Sequence, residues 1–436
     1  MRRKRPGLSL GSVLTLALTA AVLAAGALFF FRAEGSPGET VMRAQRVAGL
    51  LGDALRGNTP APPPASTART VTVTLPPRAT ASPAASPAPT APPDAERRSF
   101  SLTAGGVIAF ESDISDAVYN KTDKTFDYAP ILAGVARDVT GDLRLAVLGQ
   151  SLNTADHKYS DLIVPEQALS SVQAAGFDTL LLHTNHALDQ GVDGARETAR
   201  AIAARGLRCG GVNTEYGSQT LLLDCNGVRV ALLTYTDGLT AKGQNALESA
   251  AGKAALTLFS DVAASRDIAA ARVQGAQCVI VCMHWGRTDA AEITAAQRET
   301  AKALAAFGAD VILGTRPTRV LPLEWVDATG ENGQKRRVPV AYSLGTLLTE
   351  SREGVDISGA LLHLSIVCQG GSVTVEQVTY TPTYIWRQAV GGKQQYRVIN
   401  SAKAAPAGMT QKQIEVMGRA LARVQKALQG IALQEN

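Results

Sequence analysis

From about residue 102 onward, short apolar runs alternate along the chain with longer amphipathic segments. Six apolar runs have the length of strands and end in polar or glycine-rich turns: 107–110, 143–148, 178–183, 228–235, 278–285 and 310–314. Helical spacing occurs between several of these runs, at 165–176, 195–206 and 295–308. Strands and helices in alternation predict an α/β domain whose functional groups lie in loops beyond the carboxyl ends of the strands.

The pattern changes towards the carboxyl terminus. After Pro339 the apolar and polar positions alternate closely, which predicts a strand-rich closing section. Thr410 precedes a stretch in helical spacing and is predicted to cap a last helix that runs to about Gly430. We therefore predict a main domain over 102–390 and a C-terminal extension with a helix over 391–436.

The amino-terminal segment is uniformly apolar. Residues 8–31 contain no charged side chain, and a helix of this length extends about 36 Å, more than the roughly 30 Å of a hydrocarbon core. The basic residues within 1–7 predict a cytoplasmic tail, so the bulk of the chain would lie outside a cell membrane that it crosses once. The alternative is a secreted protein released by cleavage of a signal peptide, because Ala25-Gly26-Ala27 resembles a cleavage site.

Two further segments separate this anchor from the main domain. Residues 32–58 are predicted to form a short amphipathic helix beside the membrane. Residues 59–98 contain 11 of the 20 prolines, interleaved with Ala, Ser and Thr. Such a composition is typical of a disordered, extended linker, which would hold the domain away from the membrane.

Charge and cysteine content limit the possible function classes. The net charge is +5, but four of the 43 Lys and Arg lie in residues 2–5, which leaves 39 against 38 Asp and Glu. A nearly neutral body with few aromatic residues argues against a nucleic-acid partner. The five cysteines form no CxxC pair, so they indicate neither a disulfide framework nor a structural zinc site. Cys209 with Cys225 is the one pair left open.

Histidines stand at the ends of two predicted strands. His183 ends the run at 178–183 and His186 follows it, whereas His284 lies at the end of the run at 278–285. Side chains at the carboxyl ends of neighbouring strands are well placed for metal binding or proton transfer. A single histidine in such a place is also compatible with a structural, hydrogen-bonded role.

Six segments follow one another in a recognisable order. They are FESDI at 110–114, VLGQ at 147–150, TNHALDQG at 184–191, HWGRT at 284–288, GTRPTRV at 314–320 and YSLGTL at 342–347. This order resembles the bacterial capsule-synthesis CapA family, which is linked to poly-γ-glutamate production and has a calcineurin-like metallophosphoesterase fold. The resemblance implies a sandwich of two packed mixed sheets flanked by helices.

The resemblance also implies roles for individual residues. Asp113, Asn185 and His284 match metal-binding positions of the family, and the residue that matches its general acid is His186. Three family donors are replaced, with Gly149 or Gln150 in place of a glutamate and Arg316 and Thr318 in place of histidines. The motifs also depart from the family at Thr288, in place of a glutamate, and at Thr346, in place of an asparagine. A two-metal centre needs those donors, and a guanidinium repels cations. We therefore expect no metal, or one weakly bound Mn, Fe or Zn ion.

Three arginines suggest another use for the same cleft. Arg287, Arg316 and Arg319 lie in the fourth and fifth of these segments. Together they would form a cationic pocket for the carboxylates or phosphates of an envelope polymer such as poly-γ-glutamate. In the alternative interpretation, Arg316 neutralises Asp113 and the other two arginines are solvated surface residues.

The sequence leaves three functions open. The first is a binding or scaffold protein on a degenerate metallophosphoesterase frame, anchored in the membrane and acting with an anionic envelope polymer or with capsule-synthesis membrane proteins. The second is a metal-dependent hydrolase of a phosphoester or amide bond. The third is an envelope protein whose cleft has no ligand. The replaced donors favour the first.

Overall fold

The computed structural model describes residues 96–155, 158–329, 333, 335–351 and 357–434. Four predicted segments therefore lie outside the described residues, wholly or in nearly all of their length: the cytoplasmic tail 1–7, the membrane anchor 8–31, the juxtamembrane helix 32–58 and the linker 59–98. Within the described ranges, no helix has both the length and the apolar character that crossing a membrane requires.

The first large sheet has nine strands among the described residues and is mixed. In spatial order, its main path is β18 (Lys393–Asn400), β17 (Ser372–Val390), β16 (Ser358–Gln369), β1 (Arg98–Ile108), β4 (Leu143–Leu148), β7 (Thr179–Leu181) and β8 (Arg208–Gly210). The other two are β15 (Thr346–Leu348), which pairs with β1, and β19 (Ala432–Leu433), which pairs with β17. Strands β1, β4, β7 and β8 are parallel, whereas β16 to β18 form an antiparallel meander.

The second large sheet has six strands in the described part of the chain. In spatial order they are β13 (Val320–Thr329), β14 (Lys335–Leu344), β12 (Val311–Thr315), β11 (Cys278–His284), β10 (Val228–Thr236) and β9 (Thr220–Cys225). Strands β10, β11, β12 and β14 run parallel. Two short ribbons complete the strands: β2 (Tyr119–Asn120) with β3 (Thr125–Phe126), and β5 (Ser151–Asn153) with β6 (Ile163–Pro165).

Helices cover the outer faces of both sheets. In chain order they are α1 (Ser112–Val118), α2 (Ala129–Ala133), α3 (Leu169–Ala175), α4 (Gly191–Ala204), α5 (Ala241–Leu247), α6 (Ala250–Ala255), α7 (Asp261–Val273), α8 (Ala295–Phe307) and α9 (Gln411–Ala427), with a short 3₁₀ turn at Glu166–Ala168. Helices α1 to α5 and α9 contribute to the core on the nine-stranded sheet, and α7 and α8 to the core on the six-stranded sheet.

The alternation of side chains along β10 explains the layers. Val230 and Leu232 point into the core between the two sheets, whereas Ala231 and Leu233 point into the core beneath α7 and α8. A strand buried on both faces needs apolar residues at nearly every position, which is what the run at 228–235 provides. The α/β class predicted from the sequence is confirmed, with two packed mixed sheets flanked by helices.

Strands and a helix continue the fold at both ends of the stretch predicted as the main domain. Strand β1 begins at Arg98, because each residue from Arg98 to Ala104 pairs in antiparallel order with a residue of β16, from Cys368 back to Leu362. At the other end, β18 continues the same sheet beyond residue 390, and α9 packs against β13, β16 and β17. Thr410 caps α9 with a reciprocal hydrogen bond to Gln413, as predicted. The C-terminal extension is therefore part of the folded domain.

The cysteines contribute to packing. All five are buried free thiols, so the pair left open by the sequence, Cys209 with Cys225, is not a disulfide here. Cys278 and Cys282 lie in the core between the sheets, where they serve as small apolar residues.

Candidate functional site

Parallel pairing brings several candidate residues to one edge of the six-stranded sheet. Thr236 of β10 pairs with His284 of β11, which pairs in turn with Thr315 of β12. Because the three strands are parallel, the loops that follow them leave from the same edge. These loops carry Asp237 and Arg316 beside His284. We call the region around Asn185, Asp237, His284 and Arg316 the cleft.

The His284 ring is buried and hydrogen-bonded through both nitrogens. Its Nε2 lies 2.9 Å from Oδ1 of Asn185, and its Nδ1 lies 3.1 Å from Oγ1 of Thr315. With this amide orientation, Nε2–H donates to Asn185, and the unprotonated Nδ1 faces the Thr315 hydroxyl, whose single proton also has the Met283 carbonyl within 3.4 Å. Burial is the main cause that holds the pKa of His284 well below its usual value, and the neighbouring His183, Arg316 and His186 further oppose a positive charge on the ring. His284 is therefore a neutral imidazole whose two nitrogens are already engaged.

Arg316 forms an ion pair inside the cleft. Its Nη1 lies 2.6 Å from Oδ1 of Asp237, whose Oδ2 accepts a hydrogen bond of 2.8 Å from the backbone N–H of Gly286. Burial raises the pKa of Asp237, and the Gly286 N–H and the Arg316 charge oppose that shift. Arg316 has a backbone φ of +98°, which costs a non-glycine residue on the order of 1–3 kcal/mol. The fold thus holds the guanidinium in place despite backbone strain.

Asp113 does not lie where the sequence interpretation put it. Strand β1 ends at Ile108, and Asp113 follows five residues later, in the first turn of α1. Its side chain is exposed and lines a surface cavity with Asp116, Lys393 and Tyr396. The alternative interpretation paired Arg316 with Asp113. This pairing is wrong, because the carboxylate that pairs with Arg316 belongs to Asp237.

His186 and Asp189 form a dyad next to the cleft. The Nδ1 of His186 lies 2.6 Å from Oδ2 of Asp189, and Oδ1 of the same carboxylate accepts a hydrogen bond from the Thr240 hydroxyl. Asp189 is buried, whereas about a third of the His186 side chain reaches solvent. The backbone links the two sites, since the Thr240 N–H donates to the Asn185 carbonyl. A carboxylate that orients a partly exposed imidazole is an arrangement suited to proton transfer.

His183 packs beside His284 without polar contacts. The two rings meet edge to face with centroids 6.2 Å apart. Within the described residues, neither ring nitrogen of His183 has a hydrogen-bond partner, and burial lowers its pKa to about 3. This histidine is therefore neutral and acts as part of the wall behind His284.

The predicted arginines lie on two connected loops. The backbone N–H of Thr318 donates to the carbonyl of Thr288 over 2.9 Å, which ties the loop after β12 to the loop after β11. Arg287 extends outward and pairs with Asp289 at 2.9 Å, both side chains being largely exposed. Arg319 forms no salt bridge with any residue that the structure describes. The three arginines share one edge, but two of them already have carboxylate partners.

The chemistry of these donors does not fit a two-metal centre. The Nε2–H of His284 and the amide oxygen of Asn185 are joined in one hydrogen bond, the other ring nitrogen contacts Thr315, and the guanidinium of Arg316 pairs with the carboxylate of Asp237. Across the described ranges, no three His, Cys, Asp or Glu side chains come together as a group that could hold a metal ion. A site for two dications needs several anionic donors close together, and a fixed cation opposes it.

The sequence interpretation overlooked Asp237. This residue stands directly after strand β10, two positions beyond the apolar run at 228–235, and so carries the same signal as His284, a polar side chain at the end of a buried strand. Asp189 lies within the segment at 184–191 but was not assigned a role. Its hydrogen bond to Thr240 crosses between loops that are 51 residues apart, which no local pattern indicates.

Comparisons with known proteins agree on one family. The model of the family described as bacterial capsule synthesis protein PGA_cap matches residues 101–351. The capsule biosynthesis protein CapA of Bacillus anthracis is 27% identical over 231 residues, which are 51% of this chain and 55% of that protein. The PGA biosynthesis protein CapA of Bacillus subtilis (strain 168) is 25% identical over 229 residues, 52% of this chain and 57% of that protein.

This chain thus spans somewhat more than half the length of the curated relatives it matches. Among solved structures, it is similar to the calcineurin-like phosphoesterase YfkN from Bacillus subtilis, with 13% identity and a TM-score of 0.36 over 76% of this chain and 98% of that one. The matched residues 101–351 make up more than half of the chain and include all of the cleft. The chain belongs to the bacterial capsule synthesis protein PGA_cap family.

Proposed function

We propose that this protein serves in the synthesis, export or surface attachment of a capsule or another poly-γ-glutamate-type envelope polymer. Its role in this proposal is that of a binding or scaffold protein on a calcineurin-like frame with a degenerate metal site. The family and the names of the two CapA relatives support the proposal that the protein acts on or with such a polymer. Residues 8–31 would anchor the protein in the cell membrane, beside capsule-synthesis membrane proteins and with the domain outside.

The ion pair between Arg316 and Asp237 is the observation that carries this proposal. Where a hydrolase of this kind would need a dication, the cleft holds a guanidinium that cannot lose its proton. The neighbouring His284 and Asn185 are hydrogen-bonded to each other, through Nε2 of the ring and Oδ1 of the amide. A cleft organised by internal pairs is better suited to holding a ligand than to activating water on a metal.

Metal analysis of the full-length protein tests this directly. Purified in mild detergent without chelator, the protein is expected to contain Mn, Fe and Zn far below one ion per chain, because its donors are engaged with one another. Inductively coupled plasma mass spectrometry measures the content, with His284→Ala as the matched variant. Near-stoichiometric metal in the wild type that disappears in the variant would overturn the binding role.

That outcome would support the second candidate, a metal-dependent hydrolase of a phosphoester or amide bond. The observation in its favour is the dyad of His186 and Asp189, in which a buried carboxylate and Thr240 orient a partly exposed imidazole. In this proposal His186 is the general acid, and Asn185 and His284 would release each other to bind one metal ion. Asp113 would have to move from its exposed place on α1 to join them.

The proposed anionic ligand has its own test. Replacing Arg287, Arg316 and Arg319 together by alanine is expected to weaken binding of an anionic polymer such as poly-L-glutamate about tenfold or more, because three cations are removed from one edge. Fluorescence anisotropy of the labelled polymer measures the Kd, and circular dichroism checks the fold of the variant. An unchanged Kd would contradict the arginine pocket.

A further inference from the structure

The C-terminal helix α9 carries a line of basic side chains. Lys412, Arg419, Arg423 and Lys426 follow one another at spacings of seven, four and three residues. At about 100° of rotation per residue, all four fall within an arc of about 60°. The line extends about 21 Å along the helix axis, at 1.5 Å per residue. We call these four residues the basic stripe.

The stripe faces solvent because the other side of the helix is packed on the domain. Met417, Ala420 and Val424 are buried against the strands below. Three members of the stripe are exposed and Arg423 is half-buried. The apolar face of α9 is thus buried against the domain, and its basic face is exposed to solvent.

The three exposed members of the stripe are not paired with acids in the described part of the chain. Lys412, Arg419 and Lys426 form no salt bridge with any residue within the described ranges. The one acid of α9, Glu415, lies at the edge of the stripe and accepts a hydrogen bond of 3.4 Å from the Gln411 amide. The helix therefore carries a surplus of positive charge along one side.

The stripe is continuous with the arginines at the edge of the cleft. Helix α9 packs on β13, which begins at the residue after Arg319. Burial and the like charges of Arg419 and Arg319 lower the pKa of Arg423, which is consistent with the three guanidinium groups being neighbours. Arg319 thus links the stripe to the loop that bears Arg316.

Helix stability does not account for this arrangement. Lys426 lies in the last turn, where a cation interacts favourably with the helix dipole. Lys412 lies in the first turn, where the dipole disfavours a positive charge and where α9 has no acidic residue. The helix dipole therefore does not explain Lys412, whereas a ligand of opposite charge would.

We propose that the basic stripe binds a stretch of a linear polyanion, with carboxylates or phosphates repeated along an extended chain, and leads it towards Arg319 at the cleft. This inference rests on the proposed function, to which it adds a second contact surface. A row of cations binds a row of anions by releasing counterions at each site. Helix α9 lies outside the residues 101–351 that the family model matches, so the family does not assign this surface.

A linear polymer fits the stripe better than an anionic membrane surface. Helices that bind in the plane of a membrane insert an apolar face between the lipids, and electrostatic attraction adds to that insertion. The apolar residues of α9 are buried in the domain core and are not free to insert. What remains is a straight row of charges, which matches a linear array of anions.

Binding of labelled poly-L-glutamate to the full-length protein in nonionic detergent tests the proposal. The variant Lys412→Gln/Arg419→Gln/Lys426→Gln keeps good helix formers in the helix and leaves the half-buried Arg423 in place. It is expected to raise the Kd about tenfold and to reduce the slope of log Kd against log salt concentration. Fluorescence anisotropy over about 50 to 300 mM salt measures both.

The matched control removes the same charge elsewhere. Lys121→Gln/Lys242→Gln/Lys302→Gln changes three exposed lysines away from α9 and is expected to leave the Kd within about twofold. An equal loss in both variants, or an unchanged Kd in the stripe variant, overturns the stripe while the proposed function stands. No polymer binding by the wild type overturns both. Loss of binding to phosphatidylglycerol vesicles but not to the polymer would identify a membrane surface instead.

Discussion

Lowering the pH from about 7.5 to about 5 is expected to reduce the free energy of unfolding by about 4 kcal/mol through His183 and His363. Burial lowers the pKa of His183 to about 3 and that of His363 to about 4. In the unfolded chain a histidine takes up a proton below about pH 6.5, whereas these two stay neutral in the fold. The stabilisation is therefore complete above about pH 6.5, and each histidine loses about 1.4 kcal/mol per pH unit as the pH falls towards its folded pKa.

The surroundings of His363 explain why it stays neutral. The Thr103 hydroxyl donates to the Thr140 carbonyl over 2.6 Å, so its oxygen is left to accept from Nδ1–H of His363 at 3.0 Å. The ring Nε2 then accepts from the Thr381 hydroxyl, also at 3.0 Å. The carboxylate of Asp138 opposes the shift, but burial outweighs it. Protonation would force one of these hydrogen bonds to reverse.

Urea unfolding followed by tryptophan fluorescence measures this pH dependence. Trp285, Trp325 and Trp386 are the tryptophans of the chain, and all three lie in the folded domain, so the signal reports on that domain. The variant His363→Gln keeps a donor and an acceptor but cannot titrate, and it should lose about 2 kcal/mol of the pH effect. If the variant and the wild type lose stability in parallel between about pH 7.5 and 5, His363 does not contribute to the pH dependence.

Local sequence pattern predicted the central strands more directly than the first strand and the last helix of the described residues. Strand β10 is apolar at nearly every position, so its burial on both faces follows from composition. Strand β1 begins at Arg98, next to a proline-rich stretch, and only its pairing with β16 identifies it as a strand. The place of α9 depends on tertiary packing, because an amphipathic pattern indicates an apolar face but not the surface that the face covers.

The sequence pattern located some residues of the candidate site and not others. Asn185 and His284 come together because His284 ends β11 and Asn185 follows β7, and both strand ends can be read from the sequence. Asp113 was matched by motif order, but five residues separate it from the end of β1, enough to turn it into a helix and towards solvent. The partner of Arg316 was missed because Asp237 is 79 residues away in sequence. Contacts between loops of different strands are set by the register of the sheet, which periodicity does not reveal.

Replacing Asp237 by alanine is expected to lower the free energy of unfolding by about 2 kcal/mol and to strengthen binding of an anionic polymer about tenfold. The carboxylate accepts from the Gly286 N–H and pairs with Arg316, so its loss leaves a guanidinium uncompensated. About 36% of the Asp237 side chain and 24% of the Arg316 side chain reach solvent. The cost is therefore smaller than the roughly 3–5 kcal/mol of a fully buried pair, and the released charge becomes available to an anion.

Asp289→Ala is the matched control for this prediction. It removes the same charge from the neighbouring loop, but the Asp289 and Arg287 side chains are 71% and 77% exposed. An exposed pair contributes about 0–1 kcal/mol, so this variant should barely change the stability or the polymer Kd. Urea unfolding and anisotropy with labelled poly-L-glutamate measure both quantities for both variants. Equal effects from the two would assign the change to net charge, and weaker binding by Asp237→Ala would mean that Asp237 holds Arg316 in the orientation that meets the polymer.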